Sequence, residues 1–294
     1  YSQLKSTRRN LKLNQFDPEE LQWCNHLKLS TDKLDVVVMK MPKSVELFHL
    51  YLSEIHQNLS KKAVVLCGFM TRNFTPAFLE IAQQYFEDAE QTLAVKKARV
   101  LMLKSPKNDV APFAAFHSVK NEIGLNLKQY AGVFSANKVD VATSILLDKL
   151  PKIADTDKVL DLACGNGVIA AYVRKQNANC ELHLLDNSHL AVSSAKLNVS
   201  KENAHFYWSN SVNAIKEKEF DYILCNPPFH FEYENTIEIA HTLFAEAAKA
   251  LKPNGTFYIV ANTHLNYKAH LSKLFKSVIQ LTQSGKYEVI VCEN

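Results

Sequence analysis

Short runs of hydrophobic residues alternate with amphipathic segments over the second half of the chain. From residue 158 onward, strands are predicted at KVLDLA, CELHLLD, AHFYWSN, FDYILC and TFYIVAN, with helical spacing of apolar positions between them. The last two apolar runs, VIQLTQ and YEVIVCE, are joined by Ser284-Gly285-Lys286 and predict a hairpin. Strands that alternate with helices indicate a mostly parallel sheet covered on both faces, so the predicted fold class is α/β.

The segment before residue 110 repeats the middle of this pattern. The run LDVVVMKMPKS aligns with FDYILCNPPFH, which sets Lys40 opposite Asn226 and Pro42 opposite Pro228, and KKAVVLCGF aligns with NGTFYIVAN. A matching order over several elements favours a duplicated domain over a chance similarity of two α/β segments. The first copy lacks the opening strand, the glycine-rich turn and the Asn-Pro-Pro-Phe tip of the second. We therefore expect it to be incomplete at its start, degenerate and non-catalytic.

The amino-acid composition is that of a globular protein and gives no sign of disulfides or membrane spans. The 294 residues are 47% hydrophobic and 22% charged, which is ordinary for a globular protein. The six cysteines are scattered without a C-x-x-C pair, so we expect reduced thiols, no disulfides and no metal site. No apolar run approaches the ~18 residues of a membrane span and no signal-peptide pattern occurs, so we expect a cytoplasmic protein without membrane contact.

The run VLDLACGNG combines a strand with a glycine-rich turn. It puts Asp161, Gly165 and Gly167 at the carboxyl end of the strand, before a helix whose first N–H groups have no partner within the helix. Ala170 fits the third position of the dinucleotide pattern, so the spacing alone leaves a dinucleotide open. The carboxylate of Asp161 would repel a pyrophosphate and suits a cationic group, while Asp186 suits ribose hydroxyls. A ligand with a ribose, an adenine and an ammonium-bearing tail is S-adenosylmethionine.

The stretch CNPPFH ends the predicted strand FDYILC with two prolines. Each proline lacks a backbone donor and fixes φ, so Pro227 and Pro228 cannot extend the sheet and the Pro227 carbonyl can point outward. The side-chain oxygen of Asn226 and this carbonyl are two acceptors for the hydrogens of an amine, and Phe229 can stack on a base. His230 can assist proton release, contact RNA or only cap the next helix.

Together these motifs resemble the class I S-adenosylmethionine-dependent methyltransferases. DLACGNG is similar to their cofactor-binding motif, and NPPF to their amine-methylating motif. A closer resemblance, to the bacterial ribosomal RNA guanine-N2 methyltransferases, is carried by VFSANKVDVATSILLDKLP, CNPPFH and LKPNGTFYIVANTHLNY, and ANTHLNY fits the large-subunit (23S) type best. The resemblance implies a Rossmann-like seven-stranded sheet preceded by the degenerate copy, with S-adenosylmethionine as methyl donor and S-adenosylhomocysteine as product.

The resemblance also implies which residues form the site. The catalytic residues would be Asn226, Pro227, Pro228 and Phe229. The cofactor-binding residues would be Phe134, Ser135, Asp161, Ala163, Gly165, Gly167, Asp186, Asn187, Asn210 and Asn226. Asn210 would pair with the adenine edge, although a plain turn explains it equally well. The family often has glycine where this chain has Ala163, Lys138 and Ala142, and Ala163 fits if its φ is negative.

The chain is thus expected to have three parts: a degenerate copy over 1–109, a connecting segment over 110–157 and a catalytic domain over 158–294. The net charge of +4 is concentrated in residues 91–128, which hold seven Lys or Arg and two Asp or Glu. Such a block suits an RNA backbone, although a solvated connection explains it as well. The predicted RNA-binding residues are Lys96, Lys97, Arg99, Lys104, Lys107 and His230.

The expected function is methyl transfer to the exocyclic N2 amine of a guanine in 23S ribosomal RNA. The target base must be unpaired or flipped out of a duplex, and the enzyme is expected to act as a monomer. The rivals of the same chemistry are the small-subunit (16S) enzyme, adenine-N6 methylation of DNA and glutamine-N5 methylation of a protein. A rival from another class is a non-catalytic RNA-binding assembly factor, against which the intact Asp161, Asp186 and Asn226 argue.

Overall fold

The computed structural model describes residues 1–24, 27, 29, 33–135, 137–216, 219–227 and 235–294. The chain divides into two compact units: a smaller unit, Gln15–Ala115, and a larger unit formed by Tyr1–Asn14 and Phe116–Asn294. The predicted boundaries at residues 109 and 157 stay predictions. No helix in these described ranges is long and apolar enough to cross a membrane.

The elements follow the alternation that the hydrophobic pattern predicts. The helices are α1 (Ser2–Leu13), α2 (Val45–His56), α3 (Pro76–Tyr85), α4 (Val141–Leu147), α5 (Val168–Gln176), α6 (His189–Asn198), α7 (Asn235–Ala250) and α8 (Tyr267–Leu271). The strands are β1 (Leu34–Lys40), β2 (Leu59–Met70), β3 (Phe86–Gln91), β4 (Ala98–Pro106), β5 (Phe116–Val119), β6 (Leu127–Tyr130), β7 (Lys158–Leu162), β8 (Glu181–Asp186), β9 (Ala204–Trp208), β10 (Phe220–Cys225), β11 (Leu251–Asn262), β12 (Ser277–Ser284) and β13 (Tyr287–Glu293).

The larger unit contains a seven-stranded sheet in the order β12-β13-β11-β10-β7-β8-β9. The strands from β11 to β9 in this order are parallel, and β13 is antiparallel to β11 and to β12. Successive residues of β7 pack into different cores: Val159 into one, and Leu160 and Leu162 into the other. This burial on both faces explains the continuous apolar runs of the sequence. The predicted α/β class and seven-stranded Rossmann-like sheet are confirmed.

The smaller unit contains a four-stranded sheet in the order β1-β2-β4-β3, with the strand directions of β10-β11-β13-β12. The registers also agree. Val36 pairs with Val64 as Tyr222 pairs with Thr256, and the same irregularity precedes both pairs. This arrangement is the one that the predicted duplication requires, and it sets Lys40 at the position of Asn226.

From Phe116 onward the connecting segment belongs to the larger unit, where it precedes the main sheet in the chain. β5 and β6 form an antiparallel hairpin whose Val119 and Leu127 join one core of that unit. The chain then reaches α4, where Asp140 is the N-cap and its carboxylate accepts hydrogen bonds from the backbone N–H groups of Ala142 and Thr143. A Ser, Thr, Asp or Asn at this position stabilises a helix start. The cap fixes where α4 begins, at the carboxyl ends of the main-sheet strands.

Candidate active site

The glycine-rich turn after β7 has a left-handed backbone at Ala163 (φ 59°), Gly165 (φ 53°) and Gly167 (φ 77°). A Cβ on Gly167 would lie 2.9 Å from the Cβ of Ala195, so glycine is needed there for α5 to approach α6. A Cβ on Gly165 would meet nothing within 4 Å, so open space lies beside it. The turn therefore leaves room for a ligand at Gly165 and closes the helix packing at Gly167.

Ala163 corrects one expectation from the sequence. A small residue was expected to fit if its φ were negative, but its φ is positive, in the region that favours glycine. A left-handed conformation costs a residue with a Cβ roughly 1–2 kcal/mol. Lys138 and Ala142 are not among the described residues with positive φ, so they replace glycine without this strain.

Asp186 ends β8 beside the turn. One carboxylate oxygen accepts from the Gly165 N–H at 3.0 Å and the other from the Ser188 N–H at 2.7 Å. Burial raises the pKa of Asp186, and these two hydrogen bonds oppose the rise. Each oxygen keeps acceptor capacity after one hydrogen bond, so the carboxylate can also accept from two neighbouring hydroxyl groups of a ligand.

Asp161 lies beneath the turn and is only 1% exposed. Its Oδ2 accepts from the Ala170 N–H at 3.1 Å, while its Oδ1 is buried without a partner among the described residues. Burial raises the pKa of Asp161 well above its usual range, and the nearby charge of Asp186 raises it further. A buried carboxylate oxygen without a donor is stabilised by a proton or by a cationic group.

One pocket brings together several residues that the sequence predicts. Phe134, Ser135, Ala163, Gly165 and Asn226 all line it. The remaining lining residues are Lys138, Val139, Asp140, Thr143, Cys164, Asn166, Val168 and Ile169. The pocket thus joins the glycine-rich turn, the connecting segment and the end of β10.

Asn187 and Asn210 lie at the ends of β8 and β9, outside that lining set. The side-chain oxygen of Asn187 accepts hydrogen bonds from the backbone N–H and the hydroxyl of Ser2, and its backbone oxygen accepts from Trp208 Nε1. Asn210 is exposed. Asp186 and Trp208 are paired at the same sheet edge, so an aromatic ring lies next to the proposed ribose acceptor.

The amide of Asn226 has a defined orientation. Its Nδ2 donates to Thr143 Oγ1 at 2.8 Å and to Asp140 Oδ2 at 3.4 Å. Because a carboxylate only accepts, the amide nitrogen must face α4. The Asn226 Oδ1 is then left buried without a partner among the described residues. The structure therefore presents an acceptor oxygen at the position where the sequence predicts one.

The structure describes only part of the predicted tip that follows Asn226. Pro227 is buried. Pro228, Phe229 and His230 lie outside the described residues, so their predicted roles stay predictions. Asp140 and Thr143 are site residues that the sequence analysis missed. The capping pattern of Asp140 was visible in KVDVATS, but its contact with Asn226 was not.

Gln129 is a third residue that the sequence analysis missed, and it is fully buried. Its Oε1 accepts from Asn166 Nδ2 at 2.9 Å, and its Nε2 donates to the carbonyls of Val133 (3.2 Å) and Ser135 (3.4 Å). Asn166 belongs to the glycine-rich turn, and the two carbonyls flank Phe134. One side chain thus ties the turn to the piece of the connecting segment that lines the pocket.

Of the seven basic residues counted in 91–128, Lys120 and Lys128 lie in the larger unit. The five predicted RNA-binding residues from Lys96 to Lys107 lie in the smaller unit, and some of them are engaged there. Lys96 and Lys97 are exposed and occupy a turn with left-handed backbone. Arg99 Nη1 donates to Gln91 Oε1 at 3.2 Å. Two lysines therefore project from the turn, while the guanidinium of Arg99 is held against the neighbouring strand.

Acidic residues of β3 lie beside the other two lysines of the block. Lys104 is exposed and pairs in the sheet with Asp88. Lys107 Nζ donates to the Gln83 carbonyl at 2.8 Å and lies 3.8 Å from the carboxylate of Glu87. The positive charge of Lys104 and Lys107 is thus offset by carboxylates of β3, which lie outside residues 91–128 in the sequence.

A group of possible metal ligands lies on β8 and β9. Ligand atoms of Glu181, His183 and His205 lie within 4.8 Å of one another. His183 Nε2 is 2.6 Å from Glu181 Oε1, and the ammonium of Lys158 is 3.7 Å from the same oxygen. These contacts already pair the carboxylate with a ring nitrogen and a cation, and the group does not line the pocket.

Comparisons with known proteins agree with this architecture. The sequence model of the "Methyltransferase small domain" matches residues 124–291, and that of the "RLMG N-terminal domain" matches residues 1–108. The chain is 32% identical to the ribosomal RNA large subunit methyltransferase G of Shewanella loihica, over 97% of this chain and 73% of the relative. It is also 32% identical to the protein of the same name from Shewanella oneidensis, over 97% of this chain and 77% of the relative.

Among solved structures, the T. thermophilus 16S rRNA N2 G1207 methyltransferase, solved with AdoMet and guanosine, superposes with a TM-score of 0.83. The match covers 97% of this chain and 79% of that chain at 21% identity. At this identity the likeness shows the fold alone.

Proposed function

The chain belongs to the ribosomal RNA large subunit methyltransferase G family, and on that premise we propose that it methylates the exocyclic N2 amine of a guanine in 23S ribosomal RNA. It is an S-adenosylmethionine-dependent methyltransferase. We further propose that it acts in the cytoplasm, as a monomer and without a metal.

The residues around the pocket fit S-adenosylmethionine. The space beside Gly165 is open, and the Asp186 carboxylate retains acceptor capacity that suits ribose hydroxyls. The buried Oδ1 of Asp161, which has no partner among the described residues, marks a place where positive charge nearby would be favourable. When bound, the cofactor supplies an electrophilic methyl group on a sulfonium.

One observation carries the proposal: the amide of Asn226 is oriented so that its oxygen is the atom left to accept. The exocyclic amine of guanine is a poor nucleophile because its lone pair is delocalised into the ring. An acceptor held against an amine hydrogen favours a more tetrahedral nitrogen with a localised lone pair. Thr143 and Asp140 hold the Asn226 nitrogen, so the oxygen needs no reorganisation before it accepts.

The Pro227 carbonyl is the proposed second acceptor, and Pro228 is proposed to fix the tip. Phe229 is proposed to stack on the guanine, and His230 to contact RNA. After methyl transfer the nitrogen is a cation and loses its proton readily, so no strong base is needed at the site. Most of the rate enhancement would then come from positioning.

The smaller unit is the proposed non-catalytic copy and an RNA clamp. Its strand order and registers, which match those of β10-β11-β13-β12, support a duplicated origin. Lys96, Lys97 and Lys104 are its exposed members of the predicted RNA-binding set, while Arg99 and Lys107 are engaged with Gln91, Gln83 and Glu87. Its contribution to RNA affinity is therefore expected to come mainly from the exposed lysines.

Calorimetry with S-adenosylmethionine, followed by methyl transfer to protein-free 23S ribosomal RNA from a strain that lacks the enzyme, tests the function. We expect saturable cofactor binding and methyl incorporation. Asn226→Ala should keep cofactor binding and lose most of the turnover. Absence of binding at millimolar cofactor would contradict the enzyme assignment, and incorporation into 16S instead of 23S RNA would contradict the substrate.

A further inference from the structure

The β5–β6 hairpin has one buried face and one outward face beside the pocket. Val119 and Leu127 are paired across the strands and buried in the core. Because paired residues point the same way and faces alternate along a strand, Ser118 and Lys128 lie on the opposite face, and both are exposed. We call this outward side, with Phe116, Ser118, Lys120, Lys128 and Tyr130, the hairpin face.

Aromatic rings occupy one end of the hairpin face. Phe116 is 43% exposed, and its ring meets that of Tyr130 edge-on with centroids 5.8 Å apart. The Lys128 ammonium lies 5.7 Å from the centre of the Phe116 ring. The N–H and carbonyl of Lys128 are both hydrogen-bonded to the side chain of Asn198, so the strand that carries this lysine is held in place. An exposed ring beside a cation carried on a held strand suits a base followed by a phosphate.

The other end of the hairpin face leads into the pocket. Lys120 and Lys138 form a parallel β-bridge, with hydrogen bonds from the Lys120 N–H to the Asn137 carbonyl and from the Val139 N–H to the Lys120 carbonyl, each 3.1 Å. Lys138 lines the pocket together with Phe134, which is 59% exposed. Exposed aromatic and basic side chains therefore follow one another from Phe116 to the pocket that contains Asn226.

The charge of this surface is positive. Between residues 116 and 138 the chain has Lys120, Lys128 and Lys138 against one carboxylate, Glu122. Asp140 also lines the pocket, but its carboxylate accepts hydrogen bonds from the N-terminus of α4 and from the Asn226 amide. In the smaller unit, by contrast, Lys104 and Lys107 lie beside Asp88 and Glu87 of β3. Phosphates are attracted more strongly where cations are not offset by neighbouring carboxylates.

We propose that the hairpin face and Lys138 bind the unpaired RNA strand next to the target guanine. A base stacks on Phe116, and phosphates contact Lys120, Lys128 and Lys138, so that the following nucleotide enters the pocket at Phe134. This inference rests on the proposed function and deepens it, because it assigns the substrate as locally single-stranded RNA. A regular duplex keeps its bases stacked inside and offers none to Phe116.

Fluorescence anisotropy with a short single-stranded RNA and with the same sequence as a duplex tests the proposal. Lys120→Gln/Lys128→Gln should weaken single-strand binding about tenfold and lower the slope of log affinity against log salt by about 1.4, since each phosphate contact on a single strand contributes about 0.7. The matched control is Lys149→Gln/Lys152→Gln, which removes the same charge from exposed positions ahead of β7 in the same unit. Equal losses in the two variants, or no loss in either, would overturn the proposal.

Phe116→Ala tests the stacking separately from charge. It should weaken single-strand binding roughly tenfold without changing the salt slope, because aromatic stacking does not depend on counterion release. The same affinity as the unmodified protein, or an equal loss on duplex RNA, would contradict stacking. Calorimetry of cofactor binding shows whether a failure concerns the hairpin face or the proposed function as a whole. If the unmodified protein binds cofactor and methylates RNA while these variants behave normally, only the hairpin face is wrong.

Discussion

The two units share a four-strand frame but end the corresponding strand with different residues. In the larger unit β10 is followed by Asn226, whose amide is oriented by Thr143 and Asp140. In the smaller unit the matching registers set Lys40 at that position, as an exposed ammonium. An ammonium has only donors, so it cannot accept from an amine. We therefore propose that the shared strands set the position of the acceptor, and that the amide oriented by α4 makes only the larger unit catalytic.

The largest effect is expected when the residue of the smaller unit is put into the larger one. Asn226→Lys removes the oriented acceptor, so turnover should fall by about a thousandfold or more, comparable with the loss of a preorganised hydrogen-bonding group in other enzymes. Single-turnover methyl transfer measures the loss, and calorimetry should show that the cofactor still binds.

The reciprocal change is the control. Lys40→Asn alters the same strand position in the smaller unit, where no hydrogen bond between described residues holds the side chain, so turnover should be unchanged. If Asn226→Lys retained near-normal turnover, or Lys40→Asn altered it as strongly, the contrast between the two units would be lost.

A smaller effect is expected when Asn226 is kept but one of the hydrogen bonds that orient its amide is removed. Thr143→Val removes the hydroxyl that accepts from Asn226 Nδ2 at almost unchanged volume, so kcat should fall about tenfold, in keeping with a buried hydrogen bond worth roughly 1–3 kcal/mol. Thr143→Ser retains the hydroxyl and should restore most of the rate. A loss of thermal stability with unchanged kcat would assign Thr143 a structural role only.

Gln129→Leu should weaken binding of the cofactor without disturbing the Asn226 amide. It breaks the links from the glycine-rich turn to the carbonyls that flank Phe134, so KM for S-adenosylmethionine should rise about tenfold with kcat within about threefold of normal. Leu127→Ala, a buried change on the same strand, is the matched control for lost stability. The same KM rise in Leu127→Ala would contradict positioning by Gln129.

The smallest predicted effect concerns the strained turn after β7 in the larger unit. Ala163→Gly should raise the free energy of unfolding by about 0.5–1 kcal/mol, because the relief of left-handed strain exceeds the entropy cost of glycine. Ala171→Gly in the interior of α5 should lower it by about 1 kcal/mol. Denaturant unfolding measures both changes, and a destabilising Ala163→Gly would contradict the strain.

The sequence predicted what depends on local pattern. The strands of the main sheet are readable because burial on both faces makes continuous apolar runs, and the register between Lys40 and Asn226 follows from repeated spacing. The contacts of Asn226 with Thr143, and of Gln129 with Asn166, join segments far apart in the chain, and no local pattern encodes them. Charge counted along the chain likewise missed the carboxylates of β3.

The backbone conformation of the glycine-rich turn also could not be predicted from the sequence. Ala163 is compatible with either sign of φ as a residue type, and only the path from β7 to α5 fixes the left-handed value. The CNPPFH motif is a second example. Its residues can be recognised in the sequence, but the orientation of the Asn226 amide depends on contacts with α4.

We propose that the oriented amide of Asn226 directs methyl transfer to a guanine amine of 23S ribosomal RNA. The most direct measurement is mass spectrometry of nucleosides from 23S and 16S RNA after incubation with S-adenosylmethionine and either the unmodified protein or Asn226→Lys. We expect N2-methylguanosine in 23S RNA with the unmodified protein and almost none with the variant. Methylation of another base or atom, of 16S RNA instead, or to the same extent by the variant would contradict it.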